Sequence, residues 1–115
     1  MYEIVDCLKQ HQIVRSVEIL ELVNEQAVKS IKIRSHLIDE SILFIQETIS
    51  EKGKRYSYHW QNKEGELILR WDNAPHWKNV ETFPHHKHIG EKIEPSSMLD
   101  IKELLEQIEK VLSDE

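Results

Sequence analysis

The sequence is short of cysteine, of long apolar runs and of net positive charge, and each shortage closes a class of answers. Cys7 is the only cysteine in 115 residues, so an intrachain disulfide is impossible and a thiolate cage around a metal is excluded. Its expected place is the inner face of a first helix. The apolar runs are a few residues long, far below the ~20 that span a bilayer, and the opening MYEIVDCLKQ carries acids where a secretory leader carries bases. The expectation is a cytoplasmic protein with no membrane partner. A formal charge of −6 argues against a generally basic nucleic-acid-binding surface.

The charge is unevenly spread. Between Lys29 and Pro95 there are eleven Lys/Arg against ten Asp/Glu, while the two ends together hold four against eleven. The acid sits at the termini, so a basic surface on a partner should meet them, or the terminal helix should lie away from any nucleic-acid face. Six of the seven histidines, all but His11, lie in the near-neutral middle. With 39% apolar and 31% charged residues the chain is a folded one, and its length suits a single domain over residues 1–115.

Met1, Ile4, Val5 and Leu8 recur at helical spacing, which predicts a short helix over residues 1–10. Residues 12–72 read as an antiparallel sheet. Gln12 to Val23 is rich in apolar β-formers; Ile31, Ile33 and Leu37 alternate with Lys32, Arg34 and His36; ILFIQETI, RYSYHWQ and ELILRWD follow after short turns. Gly65 in the NKEG connection supplies the positive φ that a tight hairpin requires. Residues 73–96 hold all three prolines without a sustained period and read as a long loop, with Trp77, Phe83 and Ile89 packing down on the sheet. From Ser97 to 113 a capping-box pattern, Ser97 with Asp100, opens a stripe of Met98, Ile101, Leu104, Leu105, Ile108, Val111 and Leu112. The expected fold is α+β: a five-stranded antiparallel meander with a short N-terminal helix and a longer C-terminal helix packed on one face.

Two segments carry candidate chemistry. In the Arg55–Asp72 hairpin, pairing Gln61 with Glu66 leaves Ser57, His59, Arg70 and Asp72 on one face; a one-residue slip instead sets Tyr58 beside Arg70 and Tyr56 beside Asp72. Aromatics at strand spacing are more often core, and Arg70 with Asp72 equally suits an ordinary surface ion pair. The second segment, FPHHKHIG, places three histidines in four positions, with His76 upstream after Pro75. Extended backbone pairs His86 with His88; a helical turn begun at Pro84 pairs His85 with His88. Either way two imidazoles, each titrating near a pH of about 6.5, come side by side.

Two such groups and a cation suffice for RNA cleavage without a cofactor. One imidazole removes the ribose 2′-hydroxyl proton, the other protonates the departing 5′-oxygen, and Arg70 offsets charge on the phosphoryl oxygens. A lower-ranked alternative gives Asp72 and His76, with two of His85, His86 and His88, to a divalent metal. For His11 and His36 a solvated or structural ring is preferred.

Residues 56–91, YSYHWQNKEGELILRWDNAPHWKNVETFPHHKHIGE, resemble the central block of the TumE-like toxin family: a YHWQ strand, then RWDNAPHH, then TFPHHKH. IRSHLIDESILFIQE and the acidic final helix fit as well. The resemblance implies a toxin component paired with a helix-turn-helix antitoxin, and a homodimer is compatible with it. Relatives commonly read APHH where this chain has Trp77, so the resemblance moves the weight onto His76, His85, His86 and His88. It brings no residue-level mechanism, and the roles above rest on side-chain chemistry. A different class of function remains open, a non-catalytic module that binds a protein target or the antitoxin through the aromatic hairpin.

Overall fold

The computed structural model describes residues 2–114, with Met1, Glu115 and the side chain of Tyr2 outside it. Helix α1 (Tyr2–Gln10) buries Val5 and Leu8 on one face; Met1, counted in the same spacing, lies outside the described residues. Cys7 is half-buried beside this core, and burial raises its thiol pKa, with the Asp100 carboxylate adding to the effect.

Seven strands follow in chain order: β1 (Val14–Asn24), β2 (Lys29–Leu37), β3 (Ile42–Ser50), β4 (Gly53–Gln61), β5 (Leu67–Asp72), β6 (His86–Ile89) and β7 (Lys92–Pro95). Each pairs antiparallel with the next, so the sheet is a continuous meander. The expected architecture is present, but the count of five strands is corrected to seven. β6 and β7 lie inside the stretch read as a loop. The reason is physical: HKHI carries polar side chains on both faces, so the ladder forms without the apolar alternation that marks a half-buried strand. A two-residue turn joins β6 to β7, and Gly90 takes the positive φ of 59° that it needs.

Alternation assigns Ile31, Ile33, Leu37, Leu43, Ile45, Tyr56, Tyr58, Trp60 and Trp71 to one face, where they meet Val5 and Leu8 of α1. Helix α2 (Ile101–Ser113) completes this core with Ile101, Leu104, Leu105 and Ile108. Its start is later than the expected Ser97. Asp100 accepts from the Glu103 backbone N–H at 2.8 Å, and the Glu103 side chain reaches back to the Asp100 N–H. Met98 is about half exposed, so the buried stripe begins only at Ile101. Among the described residues no helix is long and apolar enough to cross a membrane.

Both helices share one side of the sheet with the aromatic core. No helix covers the opposite face, although its Asp72 and His86 end is buried. Trp77, Phe83 and Ile89, expected to pack down, are exposed, although the Trp77 ring stands edge-on to His86 and His88.

Candidate active site

The β4–β5 hairpin sets Ser57 opposite Asp72, Tyr58 opposite Trp71, His59 opposite Arg70 and Trp60 opposite Leu69, with a register shift at Gln61 that pairs it with Leu67. The pairing differs from Gln61 with Glu66 but keeps the same parity. Ser57, His59, Arg70 and Asp72 therefore share the open face. β6 then adds His88 opposite Arg70 and His86 opposite Asp72. Its extended backbone puts His86 and His88 on one side, as the first of the two alternatives requires.

The outcome is a row across three strands, His59 on β4, Arg70 on β5 and His88 on β6, with Asp72 and His86 one step along. At the usual strand spacing the two outer imidazoles stand about 10 Å apart at the backbone, with the guanidinium between them. Arg70 Nη1 donates to His59 Nδ1 at 3.4 Å and Arg70 Nε donates to Asp72 Oδ2 at 3.1 Å. His59 Nε2 donates to Gln61 Oε1 at 3.1 Å.

Asp72 is the hub. Its Oδ1 accepts the Ala74 backbone N–H at 3.0 Å, and it meets His86 Nε2 at 3.0 Å through Oδ1 and His88 Nε2 at 3.2 Å through Oδ2. Burial alone would raise its pKa. The Ala74 N–H, the Arg70 hydrogen bond and the nearby cationic charge outweigh burial and hold the carboxyl below its ordinary range. Burial is also the largest influence on His59 and His88, and it lowers both. At His59 the Gln61 bond opposes it and the Arg70 charge reinforces it; at His88 the Asp72 carboxylate opposes it and His86 and Arg70 reinforce it.

WDNAP explains how the hub is held. Asn73 acts as a rung beyond the end of β5: its Oδ1 accepts from the Tyr56 N–H at 3.0 Å and its Nδ2 donates to the Lys54 carbonyl at 2.7 Å. Downstream, Thr82 clamps the entry to β6. Its hydroxyl donates to the His85 carbonyl and accepts from the Ser96 N–H at 2.8 Å, while the intervening Phe83–Pro84 bond is cis.

Three candidates lie elsewhere. His85 faces the helix side, where its Nδ1 is hydrogen-bonded to Tyr56 Oη at 2.9 Å and the two rings stack. Burial and the Asp72 charge push the Tyr56 phenol up to about 12. Tyr58 is fully buried and donates to Glu47, and burial together with that carboxylate drives its pKa far upward. His76 is exposed in the loop, apart from the Asp72, His86 and His88 grouping. Tyr56, Tyr58, Trp60 and Trp71 are all core, so the hairpin's aromatic side is not available as a docking surface.

The open face offers room. A hollow of about 190 Å³ lies among Gln46, Arg55, Ser57, Arg70 and Asp72, and one of about 340 Å³ beside it reaches Lys32, Phe44 and His59. Arg55, Gln46 and Phe44 were not among the candidates from sequence. Their signal was the parity of β3 and β4, which places them beside Ser57 and His59.

Neither the curated proteins nor the solved structures include a match to this chain. A family model, described as Toxin TumE, matches residues 4–115. That span takes in α1 from Ile4 onward, all seven strands, α2 and the whole of the site. The chain belongs to the TumE toxin family.

Proposed function

We propose that this toxin acts on RNA in the cytoplasm, as an endoribonuclease that uses a pair of imidazoles and a guanidinium and needs no cofactor. The observation that carries the reading is the row His59, Arg70, His88, in register on the uncovered face of the sheet. The imidazole pair differs from the one suggested by adjacency in the sequence. It spans two strands and brackets the arginine.

Neutral His88 donates its Nε2 hydrogen to Asp72 Oδ2, which leaves Nδ1 without a hydrogen-bond partner among the described residues. Nδ1 is then a lone pair held in orientation by a carboxylate, the arrangement a general base requires. It takes the 2′-hydroxyl proton as the 2′-oxygen attacks phosphorus. When the substrate phosphate draws Arg70 off His59 Nδ1, that nitrogen takes up a proton, and the imidazolium gives a proton to the 5′-oxygen as the P–O5′ bond breaks, leaving a 2′,3′-cyclic phosphate and a 5′-hydroxyl. Arg70 faces the charge that grows on the non-bridging oxygens. Arg55 and Lys32 extend the cationic surface along the hollow. All parts of the row come from one chain, so the chemistry needs no second copy.

Toxin membership implies an antitoxin, and we propose a helix-turn-helix protein for it. The acidic helix α2 lies on the side away from the row, which suits a basic partner that docks there while RNA occupies the open face. The test is incubation of purified protein with cellular RNA in a metal chelator, alongside growth assays of cells expressing the same variants. Cleavage lost in His59→Ala and His88→Ala together with toxicity supports the reading. Intact RNA beside undiminished growth inhibition removes it.

A further inference from the structure

His86 is 1% exposed, and its Nδ1 lies 2.9 Å from the Pro84 carbonyl. A carbonyl only accepts, so Nδ1 carries the ring's hydrogen. In the neutral ring Nε2 is therefore a bare lone pair, yet it points at Asp72 Oδ1 at 3.0 Å and at His88 Nε2 at 3.1 Å. Lone pair against carboxylate is repulsive unless a positive charge lies between them. The cation can be a second proton on His86, or a metal ion.

The spacing and chemistry of the donor atoms suit a metal. At a metal–ligand distance of about 2.1 Å, two ligands are about 3.0 Å apart at a right angle and about 3.4 Å apart at the tetrahedral angle. His86 Nε2 and His88 Nε2 are 3.1 Å apart, and the Asp72 carboxylate offers one oxygen to each, Oδ1 at 3.0 Å from His86 and Oδ2 at 3.2 Å from His88, so each neighbouring pair is spaced like adjacent ligands of one octahedral ion or slightly wider. Two imidazoles and one carboxylate in that arrangement suit a divalent transition-metal ion better than magnesium or calcium, which prefer oxygen. Outer contacts typical of metal sites are also in place: the Pro84 carbonyl fixes the His86 tautomer, and Arg70 and the Ala74 N–H orient Asp72.

We infer that Asp72, His86 and His88 bind one divalent transition-metal ion, and that the ion silences the RNA-cleaving row by capturing His88. A neutral His88 ligated through Nε2 carries its hydrogen on Nδ1. Nδ1 then has no lone pair with which to take the 2′-hydroxyl proton. The silencing rests on the ribonuclease reading above; the binding of the ion does not.

The experiment is calorimetric titration of zinc chloride into untagged, metal-stripped protein, with far-UV circular dichroism as the check on folding. Wild type is expected to take one zinc per chain. His88→Gln, at the partly exposed position, and Asp72→Asn should bind at least about 100-fold more weakly, and His76→Gln should bind as wild type does. No stoichiometric binding by wild type, or full affinity in folded His88→Gln, overturns the site. RNA cleavage is then followed at zero and one equivalent of zinc. Activity that falls in step with occupancy supports silencing. Cleavage that appears only with zinc overturns both the silencing and the cofactor-free chemistry while the site stands, and zinc binding with no cleavage in either arm removes the ribonuclease reading and the silencing together.

Discussion

The two faces of this sheet hold similar polar groups and dispose of them differently. On the helix side they are closed into partnerships, the buried Trp71 indole N–H excepted: Glu47 with Tyr58 and Lys54, Ser41 with the Trp60 indole, Tyr56 with His85. On the open side one carboxylate, Asp72, is shared by Arg70, His86 and His88, and Arg70 and His59 border a hollow. Closed pairs satisfy a low-dielectric interior and make it specific. A shared carboxylate orients several groups toward one place that a substrate can reach. Strand parity, rather than neighbourhood in the chain, decides a histidine's role: His85 and His86 are adjacent in sequence and lie on opposite faces.

Substitutions on the two faces should separate activity from stability. The largest effect expected is on the open face, where His88→Ala or His59→Ala lowers the RNA-cleavage rate by about 10²–10⁴ with the midpoint of urea unfolding little changed. Arg70→Ala should follow with about 10²–10³, measured under single turnover so that binding and chemistry are distinguished. Leu104→Ala on the core side should lower stability by about 2–5 kcal/mol by denaturant unfolding, with the folded fraction cleaving at the wild-type rate. Tyr58→Phe removes the donor to buried Glu47 and should cost about 1–3 kcal/mol in the same measurement, again without loss of cleavage. A slower folded enzyme in either core variant would erase the division between the faces.

The smallest effect expected is in pH. His59 is held below its ordinary pKa, chiefly by burial, so on unfolding it returns to about 6.5 and binds protons that the folded state refuses. Its contribution to stability is fully present above that unfolded value and is lost as pH falls through the lower, folded one. Thermal unfolding followed from pH 8 downward should therefore decline less steeply in His59→Gln than in wild type. Parallel slopes would mean that the ring titrates alike in both states.

Much of this was legible in the residues. Helix α2 announced itself through its apolar stripe, the first five strands through alternation and turn residues, and the polar set Ser57, His59, Arg70, Asp72 through parity. What was not legible depended on pairing partners. β6 and β7 are four-residue strands held by a ladder that only β5 can supply, and HKHI has no apolar face to declare it. The relation of His59 to His88 spans three strands, so no local spacing encodes it. Residue type alone points Trp77, Phe83 and Ile89 inward, and helical spacing adds Met98 to the stripe, but all four are exposed, as single apolar side chains commonly are. The helix starts at the Asp100 cap rather than at Ser97 because Asp100 and Glu103 complete the reciprocal capping bonds.

The chemistry of the cut ends tests the central claim most directly. If His88 and His59 pass protons about Arg70 without a metal, RNA treated with the wild-type protein in chelator is cut to fragments ending in 2′,3′-cyclic phosphate and beginning in 5′-hydroxyl, and a strand with a single 2′-deoxy sugar is spared at that position. Fragments with 5′-phosphate and 3′-hydroxyl ends, or cleavage at the 2′-deoxy position, would contradict it, because the 2′-oxygen could not then have been the nucleophile.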